Sequence, residues 1–143
     1  MAFGPQFAKL ADSGGLAGEG SAPRREAIFY AAAAIEDGDL VVVDLADTTY
    51  GLGASMKLST TDTDLIPLGI ADQDVAAGTF GRIVTYGVKL GAKADGVLVV
   101  GEAITQHNVA GTVTVGTIGT NDVIGFALTV VDTGAADVFV QLG

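Results

Sequence analysis

From Ala27 onward the chain alternates short apolar blocks with Gly, Asp or Asn. "LVVVDL" (Leu40–Leu45) follows the polar turn "EDGD" (Glu36–Asp39). "GRIVTYGVKL" (Gly81–Leu90), "GVLVVG" (Gly96–Gly101), "GTVTVGTI" (Gly111–Ile118), "VIGFALTVV" (Val123–Val131) and "DVFVQL" (Asp137–Leu142) come after it. Runs of this length, rich in β-branched residues and closed by turn formers, predict a small all-β domain. No helical period is sustained after residue 36. One short helix is allowed, near Ala27–Ala34 or Asp74–Ala77, because "AIFYAAAAI" (Ala27–Ile35) reads as helix by its alanines and as strand by Ile28, Phe29 and Tyr30.

One phrase occurs twice. "LGIADQDVAAG" (Leu68–Gly78) has a relative in "IGFALTVVDTG" (Ile124–Gly134), and Leu68–Gly87 lies on Ile124–Gly143 without a gap. The identical pairs are Gly69/Gly125, Ala71/Ala127, Val75/Val131, Gly78/Gly134, Val84/Val140 and Gly87/Gly143. Composition this rich in Gly, Ala and Val gives about two identities by chance. Turns and buried positions are what such copying preserves. Each copy follows a "GDLVVVD"-type strand, Gly38–Asp44 in the first and Gly96–Gly101 in the second. The pattern predicts two pseudo-repeated β units, about 36–87 and 88–143, packed as a small barrel-like or sandwich domain over 27–143.

Residues 1–26 differ from the rest. "MAFGPQFAKLADSGGLAGEGSAP" carries Gly and Pro but no β-branched residue, the composition of a flexible arm. Phe3, Phe7 and Leu10 sit near its tip, and Lys9, Arg24 and Arg25 supply charge. An arm carrying buried-type residues is expected to dock on something.

Composition narrows the function. Hydrophobic residues make up 49% of the 143, enough for a core, but there is no Trp. A net charge of −10 repels phosphate backbones and argues against nucleic-acid binding. No cysteine is present, which removes disulfides and thiolate chemistry and suits a reducing cytoplasm. No run of 18 apolar residues predicts a membrane span. "RREAIFYAAAAIEDGD" (Arg24–Asp39) has the look of a secretion signal, but Glu26 interrupts it.

Chemistry-bearing motifs fail on inspection. "GLAGEGSA" (Gly15–Ala22) has P-loop spacing but Ser21 where the lysine belongs, and "GLGASM" (Gly51–Met56) lacks the third glycine of a dinucleotide fingerprint. Asp62, Asp64, Asp72 and Asp74 form two D-x-D pairs without the glycine and glutamate of a calcium loop. His107 is the only histidine and lies in the polar loop "TQHNVAG" with no serine in a nucleophile-elbow context. The expectation is a protein that is not an enzyme, with no catalytic residue, metal or cofactor.

The order of the later pieces carries a resemblance. "GV" at Gly87–Val88, "DGV" at Asp95–Val97, "GTVT" at Gly111–Thr114, "IGFA" at Ile124–Ala127 and "VFVQL" at Val138–Leu142 together resemble phage capsid cement, or head decoration, proteins. "GDLVVVD" and "LGIADQDVAAG" extend the resemblance over most of residues 36–142. It implies a structural virion protein, often trimeric, made in the host cytoplasm and bound to the outside of the capsid, where it cements the major capsid protein lattice. Capsid contacts are then expected from the arm: Phe3, Phe7, Lys9, Leu10, Arg24 and Arg25. The expected partners are the major capsid protein and further copies of the chain, with neither nucleic acid nor membrane. The competing expectation is a virion-surface module for a host receptor or carbohydrate. Its hallmark would be an exposed aromatic cluster, for which Tyr50, Tyr86 and Tyr30 are the candidates, with Tyr86 expected in the core.

Overall fold

The structure, a computed structural model, describes residues 23–60, 66–120 and 122–142. Nine strands run β1 (Arg25–Ala31), β2 (Leu40–Val43), β3 (Ser55–Leu58), β4 (Pro67–Ala71), β5 (Thr79–Leu98), β6 (Ala103–Gln106), β7 (Val113–Val115), β8 (Gly125–Ala127) and β9 (Val131–Gln141). The described residues contain no helix. "AIFYAAAAI" is β1 and the turn after it, because Ile28, Phe29 and Tyr30 pair with β5 while Ala31 is wholly buried.

The pairings close two rings that share β5. In the first, β1 pairs with β3, β3 with β2, β2 with β4, β4 with β5, and β5 with β1. In the second, β5 pairs with β7, β7 with β6, β6 with β8, β8 with β9, and β9 with β5. Each ring has five strands and a single parallel pair, β1–β3 in one and β5–β7 in the other. The all-β, barrel-like expectation therefore stands.

The repeat is deeper than the sequence showed. Val41 faces Gly69 and Leu58 in the first ring, and Ile104 faces Gly125 and Val115 in the second. Ala31 faces Met56 as Ala94 faces Val113. The first ring's core is Ala31, Ile35, Val41, Met56, Ala71, Val75 and Ile83. Following the registers, their counterparts are Ala94, Leu98, Ile104, Val113, Ala127, Val131 and Val138, all in or against the second ring's core. That second cluster also takes in Leu40, Ile70 and Val84, which project from the outer wall of the first ring and seal the two rings together.

The gapless alignment needs a correction. Ile70 faces Val84, but its counterpart Phe126 faces Phe139 rather than Val140. The second hairpin is thus one residue shorter between its strands. Thr79, opposite Ala31, corresponds to Gly134, opposite Ala94, and the turn residue Gly78 (φ 81°) corresponds to Thr133 (φ 58°). The turns at Gly78 and Gly134 are not equivalent, since Gly134 lies inside β9. A slip of one residue exchanges the inside and outside of a strand, so burial decides the matter: Ile83 matches buried Val138 and not half-buried Phe139.

Two further readings change. The counterpart of Gly38–Asp44 is Gly101–His107, because Glu36–Asp39 and Val99–Glu102 form the same turn. In both, the fourth residue's N–H reaches the first carbonyl at 3.0 Å and its carboxylate accepts the first N–H, at 2.7 Å from Asp39 and 2.8 Å from Glu102. "GVLVVG" is therefore the end of β5 and a turn. Gly87, Gly91 and Gly96, taken as strand ends, lie within the 20-residue β5. Register against β9 shifts between Lys89 and Ala92 and between Ala94 and Val97. Gly91 (φ 78°) and Gly96 (φ 90°) supply the left-handed backbone there, bending one strand so that it serves two rings.

Candidate functional site

The ring junction collects most of the charge that faces other residues. Lys89, only 4% exposed, places Nζ 2.7 Å from Asp37, 2.8 Å from the Leu90 carbonyl and 3.5 Å from Asp72. Arg24 bonds Asp72 and stands 2.8 Å from Glu26, which Arg82 approaches at 3.6 Å. Lys93 bonds Glu36 and the buried Asp39, the latter at 2.8 Å. Burial alone would pull the Lys93 ammonium down, but its hydrogen bonds to Asp39 and Glu36 outweigh that and hold its pKa above the ordinary lysine value. Apart from Glu26 on β1, these carboxylates belong to the two turns at the tip of the first ring, and the Asp37 N–H donates to Asp74 at 2.9 Å. The network joins the first ring's tip to β5, where the second ring begins.

Of the six arm residues expected to meet a capsid, Phe3, Phe7, Lys9 and Leu10 lie outside the described residues. Arg24 is held in the junction network, and the Arg25 guanidinium sits 4.9 Å over the Tyr86 ring at the start of β1. Both arginines are thus held on the β body. Gly15–Ala22, Asp62 and Asp64 are also outside the described residues. "GLGASM" is a turn with Gly51 (φ 106°) and Gly53 (φ 83°) leading into β3. Asp72 and Asp74 face basic and backbone partners, and the described residues contain no acid or histidine cluster able to hold a metal. His107 accepts the Val109 N–H through Nδ1 at 3.2 Å, with Asp95 at 3.4 Å.

An aromatic cluster stands on the outside of the first ring. Tyr30, Tyr50 and Phe80 have ring centroids 4.8, 5.5 and 5.0 Å apart. Tyr30 and Phe80 are cross-strand neighbours on β1 and β5. Tyr50 reaches them from the β2–β3 loop, 44–54, which is longer than its counterpart 107–112 between β6 and β7. Asx turns shape that loop: Asp44 accepts the Ala46 N–H at 3.0 Å, and Asp47 accepts the Thr49 N–H and hydroxyl at 2.9 and 2.6 Å. The Thr49 hydroxyl, then its N–H, lower the Asp47 pKa. Tyr50 and Phe80 remain 58% and 53% exposed, and Ile28, two residues back from Tyr30 on β1, is exposed beside them. Sequence reasoning named Tyr30 and Tyr50. It missed Phe80, whose only signal was its position next to the Gly78 turn. Tyr86 packs edge-on against Phe139 at 5.2 Å, half-buried.

A second exposed surface was not anticipated. At the tip of the second ring, Val99, Val100, Leu128 and Val130 project together, Val100 at 59% and Val130 at 67% exposure. The Gly101 N–H bonds the Ala127 carbonyl at 2.8 Å, which brings the two turns side by side.

No family model and no curated protein matches the chain. Among solved structures, the chain is similar to the head fiber gp8.5 N base of bacteriophage phi29, at 17% identity and a TM-score of 0.59. The likeness covers 83% of this chain and 95% of that one, and at this identity it is a likeness of fold.

Proposed function

We propose that the protein is a structural component of a phage head that binds the outside of the capsid and cements the major capsid protein lattice, acting as a trimer. The observation that carries this reading is the phi29 head fiber base. Nearly all of that chain shares this architecture. The order of motifs over residues 36–142 points the same way. The physical character of the chain suits the role. The chain is acidic, Arg24 and Arg25 are held on its β body, and multivalent placement would add up weak single contacts. Phe3, Phe7 and Leu10 are the apolar anchors assigned to the shell, with Lys9 beside them.

The test mixes purified protein with expanded empty shells of its cognate major capsid protein. The full chain should decorate the shells and raise their resistance to heat and denaturant. A chain lacking residues 2–20 should stay folded and fail to decorate. Undecorated shells with full-length protein overturn the reading, and equal decoration by the truncated chain moves the attachment to the β body.

The exposed aromatic cluster is the one observation favouring a host-receptor or carbohydrate module. Its rings, however, are inclined at 58°, 64° and 59° to one another. They are tilted or edge-on to one another and present no common plane on which a sugar would stack, a geometry better suited to meeting another protein.

A further inference from the structure

The two rings carry the same pair of tip turns with opposite chemistry. In the first ring four tip positions are Glu36, Asp37, Asp72 and Asp74. The shared turn hydrogen bonds make Val99, Val100, Leu128 and Val130 their counterparts. Every acid has become an aliphatic residue. The turn backbone of the first tip is covered within the chain, although the Glu36 and Asp37 side chains stay 73% and 54% exposed: the Gly38 carbonyl accepts the Lys93 N–H at 2.9 Å, and a Cβ at Gly38 would lie 2.4 Å from the Gly91 carbonyl oxygen. The second tip is bare, with nothing within 4 Å of a Cβ at Gly101.

The surface that covers the first tip also has a counterpart. Lys93, which holds Glu36, faces Ala135 on β9 as Tyr30 faces Phe80 on β5. The position equivalent to Lys93 is therefore Tyr30, at the heart of the exposed aromatic cluster. Inside the chain the tip and its receiving strand form an ion pair, Glu36 with Lys93. The same two positions occur again as Val99 and Tyr30, each on an apolar surface left open to solvent. Loss of charge on both sides of one contact is what a matching pair of surfaces requires.

We propose that these two surfaces mate between copies: the aliphatic tip of the second ring in one copy packs on the Tyr30–Tyr50–Phe80 cluster of the next. On a chain of net charge −10, these faces, apolar apart from the Glu102 carboxylate that caps the tip turn, are where copies can approach with little repulsion. The contact is heterologous, since each copy offers a different surface, so it propagates from copy to copy and forms a ring where the rotation between copies closes. This identifies the interface of the self-association proposed above and does not depend on shell binding, because it acts in the free protein.

The experiment measures the mass of the free full-length chain by native mass spectrometry and sedimentation. Val99→Glu and Tyr30→Lys each install the residue found at the equivalent position of the internal contact. The wild type should be a closed oligomer. Each single variant should weaken assembly by about 10–100-fold in dissociation constant. Mixing the two variants should restore association, because an intact tip then meets an intact cluster. Val100→Asp is the second tip variant, and far-UV circular dichroism confirms that each variant is folded. A monomeric wild type, single variants that assemble like the wild type, or a mixture that stays as monomeric as its components overturns the proposal. Failure of shell decoration alone would count against the capsid reading and leave this interface standing.

Discussion

Replacing Gly125 by alanine isolates close strand approach from backbone strain. Gly125 does not lie in the left-handed region, so alanine can adopt its backbone without strain. Its new Cβ would stand 2.0 Å from the Phe139 carbonyl oxygen and 3.0 Å from the carbonyl carbon, on the neighbouring strand β9. Carbon-to-oxygen contacts between strands ordinarily sit at about 3.3–3.6 Å, so the strands must part by roughly 1 Å or more. Parting them disturbs the β8–β9 ladder and opens the core beneath Val138 and Val140. Overpacking against backbone that cannot yield should cost about 3–4 kcal/mol, a large share of the ~5–15 kcal/mol of a typical domain. Gly69→Ala, with its Cβ 2.3 Å from the Val84 carbonyl oxygen and a φ of 158° that adds backbone strain, should cost at least as much if the two rings are true counterparts. Gly119 is the control: it has φ 91° and nothing within 4 Å of an added Cβ, so Gly119→Ala should cost only the left-handed strain of about 1–2 kcal/mol. Urea and thermal unfolding followed by circular dichroism, with m-values checked for constancy, gives the ranking. If Gly125→Ala proves milder than Gly119→Ala, close approach is not what the glycine serves, and the pairing of the two hairpins loses its main steric support.

Two further outcomes concern the ring junction. Asp39→Ala removes a carboxylate 4% exposed that accepts the Glu36 N–H and bonds Lys93; it should destabilise by about 2–3 kcal/mol, with Asp39→Asn milder, measured by the same urea titration. Lys93 has a folded pKa raised above the ordinary lysine value, so its contribution is complete below the unfolded value and is lost as pH rises through the folded one. Stability should therefore fall more steeply above about pH 10 in the wild type than in Lys93→Met, by a small amount because solvent screens this partly exposed pair.

How far the fold could be read from sequence depends on what each position answers to. Gly69/Gly125, Ala71/Ala127 and Val75/Val131 are genuine counterparts, because a close strand approach and a small barrel interior admit few residue types at these sites. Gly78/Gly134 and Val84/Val140 are coincidences of a Gly- and Val-rich chain, aligned only because a missing residue between β8 and β9 could not be seen in apolar spacing. Breaking β5 at its glycines was the matching error. Turn and bulge both ask for a left-handed residue, and composition does not say whether the chain reverses or bends. β6 escaped notice because Thr105 and Gln106 are buried at the ring junction, with Gln106 close to Ser59 of the first ring, so its apolar alternation is broken.

The surfaces were the least legible part, for a reason that follows from the repeat itself. Identity between the rings survives where both must fill the same interior, and it vanishes at the tips, where one turn's backbone meets a strand of its own chain and the other's meets solvent. "EDGD" and "VVGE" form one turn in two rings, yet they share only the glycine and a final acid. A search for likeness passes over them, while a comparison through strand register sets Glu36 against Val99 and Lys93 against Tyr30. In a duplicated fold, the informative positions outside the core are the equivalent ones that differ together. A lone exposed valine is ordinary on any surface. Four aliphatics replacing four acids at matched positions, opposite an aromatic replacing the lysine that held one of those acids, is a coordinated change with one physical meaning: a contact made by charge inside the chain is offered again, without charge, to something outside it.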